Sequence, residues 1–212
     1  MTRERKDHEE RKTEILDISE KLFLGNGYDD TSISDIISEA GIAKGTFYHY
    51  FDSKDHLLEE LLDRTVAAIR SDLDEMVDSD DLDAVEKIIG ISQYLRNFAQ
   101  DKEKIVDYIH EERNAHIHFK VEKKMTPALL KYYKQIIRQG IEEDLFHVDY
   151  PDETAVTFFA MGSTLGEGRH DHTGRTIIDP QLFNAVIDIS ERLLGARPGL
   201  FNDYIKKMEE ER

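Results

Sequence analysis

Lys44, Thr46 and His49 offer a cation for a phosphate, and a hydroxyl and an imidazole for base edges. They fall within Gly41–Phe51, which contains no carboxylate although the chain carries 45 Asp+Glu. Gly45 sits among them. A glycine inside a helix costs about 1 kcal/mol relative to alanine, so it is expected only where a backbone must be approached closely. The segment is dense in aromatics: Phe47, Tyr48, Tyr50 and Phe51. Tyr48 is compatible with core packing or with a phosphate contact through its hydroxyl.

Other groups permit other chemistry. His110, His116 and His118 stand near Glu111 and Glu112, and His170-Asp171-His172 forms a second cluster. Nitrogen and carboxylate ligands suffice for a metal. A solvated helix face and a polar loop account for both more economically, so no metal and no cofactor is expected. The chain has no cysteine, which excludes disulfides, thiolate metal sites and a thiol nucleophile. Gly166-Glu167-Gly168 lacks the third glycine and the preceding strand of a phosphate loop.

The elements that must position these groups read as helices. Ile15, Ile18, Leu22 and Phe23 share one face of a helix over Arg11–Leu24, which Gly25-Asn26-Gly27 ends. Ser32 followed by Asp35 is a loose capping box for a second helix that buries Ile33, Ile36 and Ile37. Gly41 supplies the turn before a short third helix, Ala43–Tyr50. Asp52-Ser53 caps a long fourth helix bearing Leu57, Leu58, Leu61, Leu62, Val66 and Ile69. After the acidic break Asp78–Asp83, helices are expected near Ala84–Gln100, Lys102–Lys120, Pro127–Glu143, Glu153–Gly166, Pro180–Leu194 and Leu200–Glu211. Pro127 and Pro180 are placed in first turns. No alternating strand pattern occurs, so the fold is expected to be all-α. Tyr94, Phe98, Tyr108, Phe119, Tyr132, Tyr133, Phe158 and Phe159 are expected to line a helical interior.

The run Thr31-Ser32-Ile33-Ser34-Asp35-Ile36-Ile37, continuing through Gly41-Ile42-Ala43-Lys44-Gly45-Thr46-Phe47-Tyr48-His49-Tyr50-Phe51-Asp52-Ser53-Lys54-Asp55-His56-Leu57, resembles the DNA-binding domain of the TetR family of bacterial repressors. Ile15, Leu16, Leu22, Phe23, Gly27 and Tyr28 match that family's first helix, and the resemblance covers about residues 10–65. It implies a three-helix helix-turn-helix domain over 1–65 and a helical bundle over 66–212 for ligand binding and dimerisation. The implied partners are a double-stranded, palindromic DNA operator, a small-molecule effector and a second copy of the chain. Carried over residue by residue, the DNA contacts fall on Thr31, Ser32, Ser34, Lys44, Gly45, Thr46, Tyr48, His49 and Lys54. Phe47, Tyr50 and Phe51 anchor the reading helix. The resemblance also motivates an effector pocket, with Phe98, Tyr108, Arg113, Tyr132 and Phe158 as its candidate lining. Dimer contacts are expected on Glu153–Leu165 and Pro180–Leu194, where Ala160, Gly162, Ser163 and Thr164 permit close approach.

Net charge is −17, and the first 60 residues hold 8 Lys+Arg against 15 Asp+Glu. Binding to a phosphate backbone must then depend on a local face and on dimer geometry rather than on bulk charge. The arm Arg3, Arg5, Lys6 is expected to be solvated and disordered. Met1–Lys12 lacks the apolar core of a signal peptide, and no stretch is long and apolar enough for a bilayer, so a cytoplasmic protein without membrane contact is expected. The rival readings are a metal-dependent helical enzyme and a helical interaction module without DNA binding; the resemblance favours a regulator that is no enzyme.

Overall fold

The computed structural model describes residues 3–166 and 180–210. All regular elements among them are helical: α1 Arg3–Asn26, α2 Ile33–Glu39, α3 Lys44–Tyr50, α4 Lys54–Asp78, α5 Ala84–Asp101, α6 Glu103–His110, α7 Ala115–Glu142, α8 Pro151–Gly166, α9 Pro180–Leu193 and α10 Leu200–Glu210. A 3-10 turn, Glu112–Asn114, joins α6 to α7. None of these helices is long and apolar enough to cross a membrane.

The chain divides into two compact units, residues 1–69 with 97–124, and residues 70–96 with 125–212. In the first, Ile15, Leu16 and Phe23 of α1, Ile36 of α2, Phe47 of α3 and Leu57, Leu58 and Leu61 of α4 pack into one core. Each fully buried side chain of this size contributes roughly 1.5–3 kcal/mol of apolar burial. Ile105 and Ile109 of α6 and Ile117 of α7 complete that core. Ion pairs fasten its rim: Lys102 to Glu20 at 2.5 Å, and Arg64 to Asp17 and Glu20 at 2.5 and 2.9 Å.

The second unit buries Ile88, Ile91, Tyr132, Tyr133, Ile136, Ile137, Phe146 and Phe158. Its buried Glu191 accepts from the N–H groups of Gly199 and Phe201 at 2.8 and 3.0 Å, which satisfies donors at the start of α10.

Four expectations from the sequence need correction. The N-terminal arm is helical, because α1 begins at Arg3; the described side chains start at His8. The helix expected over Lys102–Lys120 is two. Glu111 takes an extended conformation (φ −62°, ψ 136°), and the buried Asn114 amide donates to the Tyr108 carbonyl at 2.7 Å, satisfying an acceptor at the end of α6. Pro127 lies inside α7 rather than in a first turn. An interior proline removes one hydrogen bond and costs about 3 kcal/mol. The buried residues on either side, Ile117 before it and Ala128, Tyr132 and Ile136 after it, hold the helix together through that defect. Phe119 is 62% exposed rather than interior. It follows the buried Ile117 by two residues, which turns it about 200° around the helix. The segment His170-Asp171-His172 and the loop after Gly166 lie outside the described residues.

Candidate nucleic-acid interface

α2 starts from a closed reciprocal cap. Ser32 is extended (φ −90°, ψ 159°), its hydroxyl accepts from the Asp35 N–H at 3.2 Å, and the Asp35 carboxylate accepts from the Ser32 N–H at 2.8 Å. The Ser32 hydroxyl, then the Ser32 N–H, hold the Asp35 carboxyl below its ordinary range. The Asp35 carboxylate is thereby turned onto its own helix cap. Gly41 follows with φ 60°, a conformation a side chain would strain, and the chain enters α3 at a steep turn.

α3 has seven residues and a sharp division of faces. Phe47 is fully buried, and Phe51, just past the helix, stands 5.7 Å from it ring to ring and is fully buried too. Tyr50 is partly buried against the same core. Lys44, Gly45 and His49 are exposed and Thr46 is half-buried. Tyr48 is 45% exposed, with the Lys44 ammonium 5.9 Å from its ring centroid, so it belongs to the outward face rather than to the core. A Cβ built at Gly45 meets nothing within 4 Å, and no positive φ calls for glycine there. Nothing among the described residues explains the missing side chain.

Ser32 and Ser34 are exposed at the start of α2. Two other candidates are committed inward. Thr31 is fully buried, and its hydroxyl donates to the Gly27 carbonyl at 2.8 Å, tying the end of α1 to the start of α2. The Lys54 ammonium donates to the carbonyls of Tyr28 and Thr31 at 2.8 and 2.9 Å and lies 4.2 Å over the Tyr28 ring. These contacts tie the start of α4 to the turn between α1 and α2.

One residue that sequence reasoning gave no role stands at the reading helix. His8 of α1 lies 5.4 Å from the His49 ring and 4.6 Å from the Tyr50 ring. A lone histidine in a charged run carries no signal of its own. Tyr28 is a second such centre: its hydroxyl donates to Asp55 and its ring packs 4.4 Å from Tyr108 of α6. Burial, then the Asp55 bond, push the Tyr28 phenol well above its usual value.

The candidate effector residues divide between the two units. Phe98, Tyr108 and Arg113 belong to the first unit, Tyr132 and Phe158 to the second. Tyr108 packs on Tyr28, and Arg113 pairs with Asp29 and Glu111. The Tyr132 hydroxyl donates to Asp74 at 2.8 Å, and the Phe158 ring packs 5.3 Å from Tyr133 in the core. None of the five lines the cleft of about 1050 Å³ in the second unit. His110 and His118 are neighbours at 5.0 Å, and His110 Nδ1 lies 2.7 Å from the Val106 carbonyl. No group of three potential metal ligands occurs among the described residues.

Residues 15–61 match the family described as bacterial regulatory proteins, tetR family. The HTH-type transcriptional repressor KstR2 of Rhodococcus jostii is 46% identical over 52 residues, 24% of this chain and 26% of that relative's length. The reduced form of E. coli NemR superposes with a TM-score of 0.59 at 22% identity, over 84% of this chain and 93% of that one. RolR in complex with resorcinol gives a TM-score of 0.60 at 17% identity, over 93% and 94%. At these identities the structural likenesses establish the fold.

Proposed function

We propose, from the match of residues 15–61 to the tetR family of bacterial regulatory proteins, that the chain is a sequence-specific transcriptional regulator, a repressor released from a palindromic operator by a small molecule. The observation that carries the reading is the outward face of α3. Lys44, Gly45, Thr46, Tyr48 and His49 form a face without a carboxylate on an otherwise acidic chain, anchored from behind by Phe47 and Phe51. Lys44 and the Tyr48 hydroxyl suit phosphates; Thr46 and His49 suit base edges. Ser32 and Ser34 add hydroxyls for the backbone, whereas Thr31 and Lys54 set the angle between helices.

Two copies are required to read a palindrome, with recognition helices roughly 34–36 Å apart. α8 and α9 suit the dimer contact: Leu182 and Ile189 are 40% and 45% exposed, and Ala160 and Gly162 leave room for close approach. The complex of RolR with resorcinol makes a small-molecule effector a reasonable expectation for the same fold. An effector acts by binding one dimer arrangement more tightly than the other, and a few kcal/mol of difference is enough. This reading takes precedence over a metal-dependent enzyme and over an interaction module without DNA binding.

The test is a mobility shift with the promoter of the chain's own gene, followed by base-by-base substitution of the bound site. Thr46→Ala and His49→Ala should each relax preference at particular positions. Unchanged preference at every position for both variants would remove them from the readout.

A further inference from the structure

The unit formed by residues 70–96 and 125–212 contains a cleft of about 1050 Å³, framed by the end of α4 and by α5, α7 and α8. Lys87 contributes to its wall and is 4% exposed. Its ammonium donates to a neutral acceptor, Gln139 Oε1, at 2.8 Å, and makes no ion pair among the described residues. A lysine is seldom so buried without an anion beside it, because taking the ammonium out of water is costly. The carboxylate next along the network is already engaged: Glu143 accepts from Gln139 Nε2 at 2.6 Å and from the Ala84 N–H at 2.9 Å.

A second cation stands on the same wall. Lys131 is exposed, 5.8 Å from the Tyr132 ring, and likewise makes no ion pair among the described residues. The next two cations along α7 are taken up by Asp152. The lining also includes apolar side chains, Leu130 and Val156. Asp78, Asp80, Glu142 and Glu143 are exposed on the lining too and disfavour a second negative charge on an occupant.

We propose that this cleft binds an amphipathic organic monoacid, one carboxylate on an apolar body, with Lys87 as the buried counter-charge and Lys131 as a second one. The carboxylate supplies the anion that Gln139 cannot, and the apolar body lies on Leu130 and Val156. The binding claim stands on the cleft alone; the effect on DNA rests on the regulator reading above.

The test uses the full chain and octanoate as probe, with octanamide and octylammonium as matched controls, by calorimetric titration and thermal melting. Octanoate should bind at least tenfold more tightly than either control and raise the melting temperature. Lys87→Met keeps the stem and removes the charge, and should lower octanoate affinity at least tenfold, with circular dichroism confirming the fold. Lys131→Gln, at an exposed position where folding is not at issue, should lower it severalfold. Octanoate binding no tighter than octanamide, tighter binding of octylammonium, or unchanged affinity in both variants would overturn the proposal and leave Lys87 as an internal strut. A mobility shift on the same samples separates the two claims. Lysine-dependent octanoate binding without any operator binding would sink the regulator reading and keep the cleft. Operator binding with no octanoate binding would do the reverse.

Discussion

Replacing Gly45 by alanine should pull stability and DNA affinity in opposite directions. The position is exposed, its φ is not positive, and a Cβ there meets no atom of the described residues within 4 Å. The substitution therefore carries no packing penalty and removes glycine's backbone entropy cost, a gain of roughly 0.5–1 kcal/mol. On DNA the same Cβ occupies the space into which a phosphate or base edge must come. A loss of about 1.4 kcal/mol, or tenfold in affinity, is the scale expected for a displaced contact. Urea unfolding followed by circular dichroism reads the first quantity, since the chain has no tryptophan. Fluorescence anisotropy with a labelled operator at fixed salt reads the second. Opposite signs cannot arise from partial unfolding. A variant that is more stable and binds the operator as tightly as the native chain would refute the idea that Gly45 serves close approach.

Lys44→Ala should weaken operator binding uniformly across sequences and make the slope of log affinity against log salt shallower by about 1 per recognition helix, measured by anisotropy over a salt series. Lys54→Met should act on stability instead: losing two charge-assisted bonds, to Tyr28 and Thr31, is expected to cost about 2 kcal/mol in urea unfolding. If its salt slope also falls like that of Lys44→Ala, Lys54 touches phosphate after all. Burial, then the Asp74 bond, raise the Tyr132 phenol to about 12. A raised folded-state value means its contribution is full below the unfolded value near 10 and fades as pH rises towards 12. Stability should therefore decline across that window, and Tyr132→Phe should flatten the decline; an identical pH profile in the variant would contradict the assignment.

Much of the first unit was legible because its signals are local. A cap such as Ser32 with Asp35 closes within three residues, and helical spacing at Leu57, Leu58, Leu61 and Leu62 marks a buried face without knowing what covers it. Gly41 and the aromatic density of Phe47–Phe51 announced the turn and the anchored short helix in the same way. The inward commitment of Thr31 and Lys54 was not legible. Lysine and threonine at a helix start read equally well as phosphate contacts until the carbonyls of Tyr28, Gly27 and Thr31 are placed beside them.

The sequence by itself determined that the chain is helical, that a helix-turn-helix sits near its start, and that the outward face of α3 is free of acid. These depend on periodicity, capping and composition, which act over a few residues. Tertiary structure decided what crosses long stretches of chain. It brought Ile105, Ile109 and Ile117 back to the core of α1–α4, and set Tyr108 against Tyr28. It placed His8 at His49, and it buried Lys87 in a cleft beside an amide rather than an acid. Such contacts follow from which apolar faces cover one another, and a residue type carries no record of the partner that burial will give it.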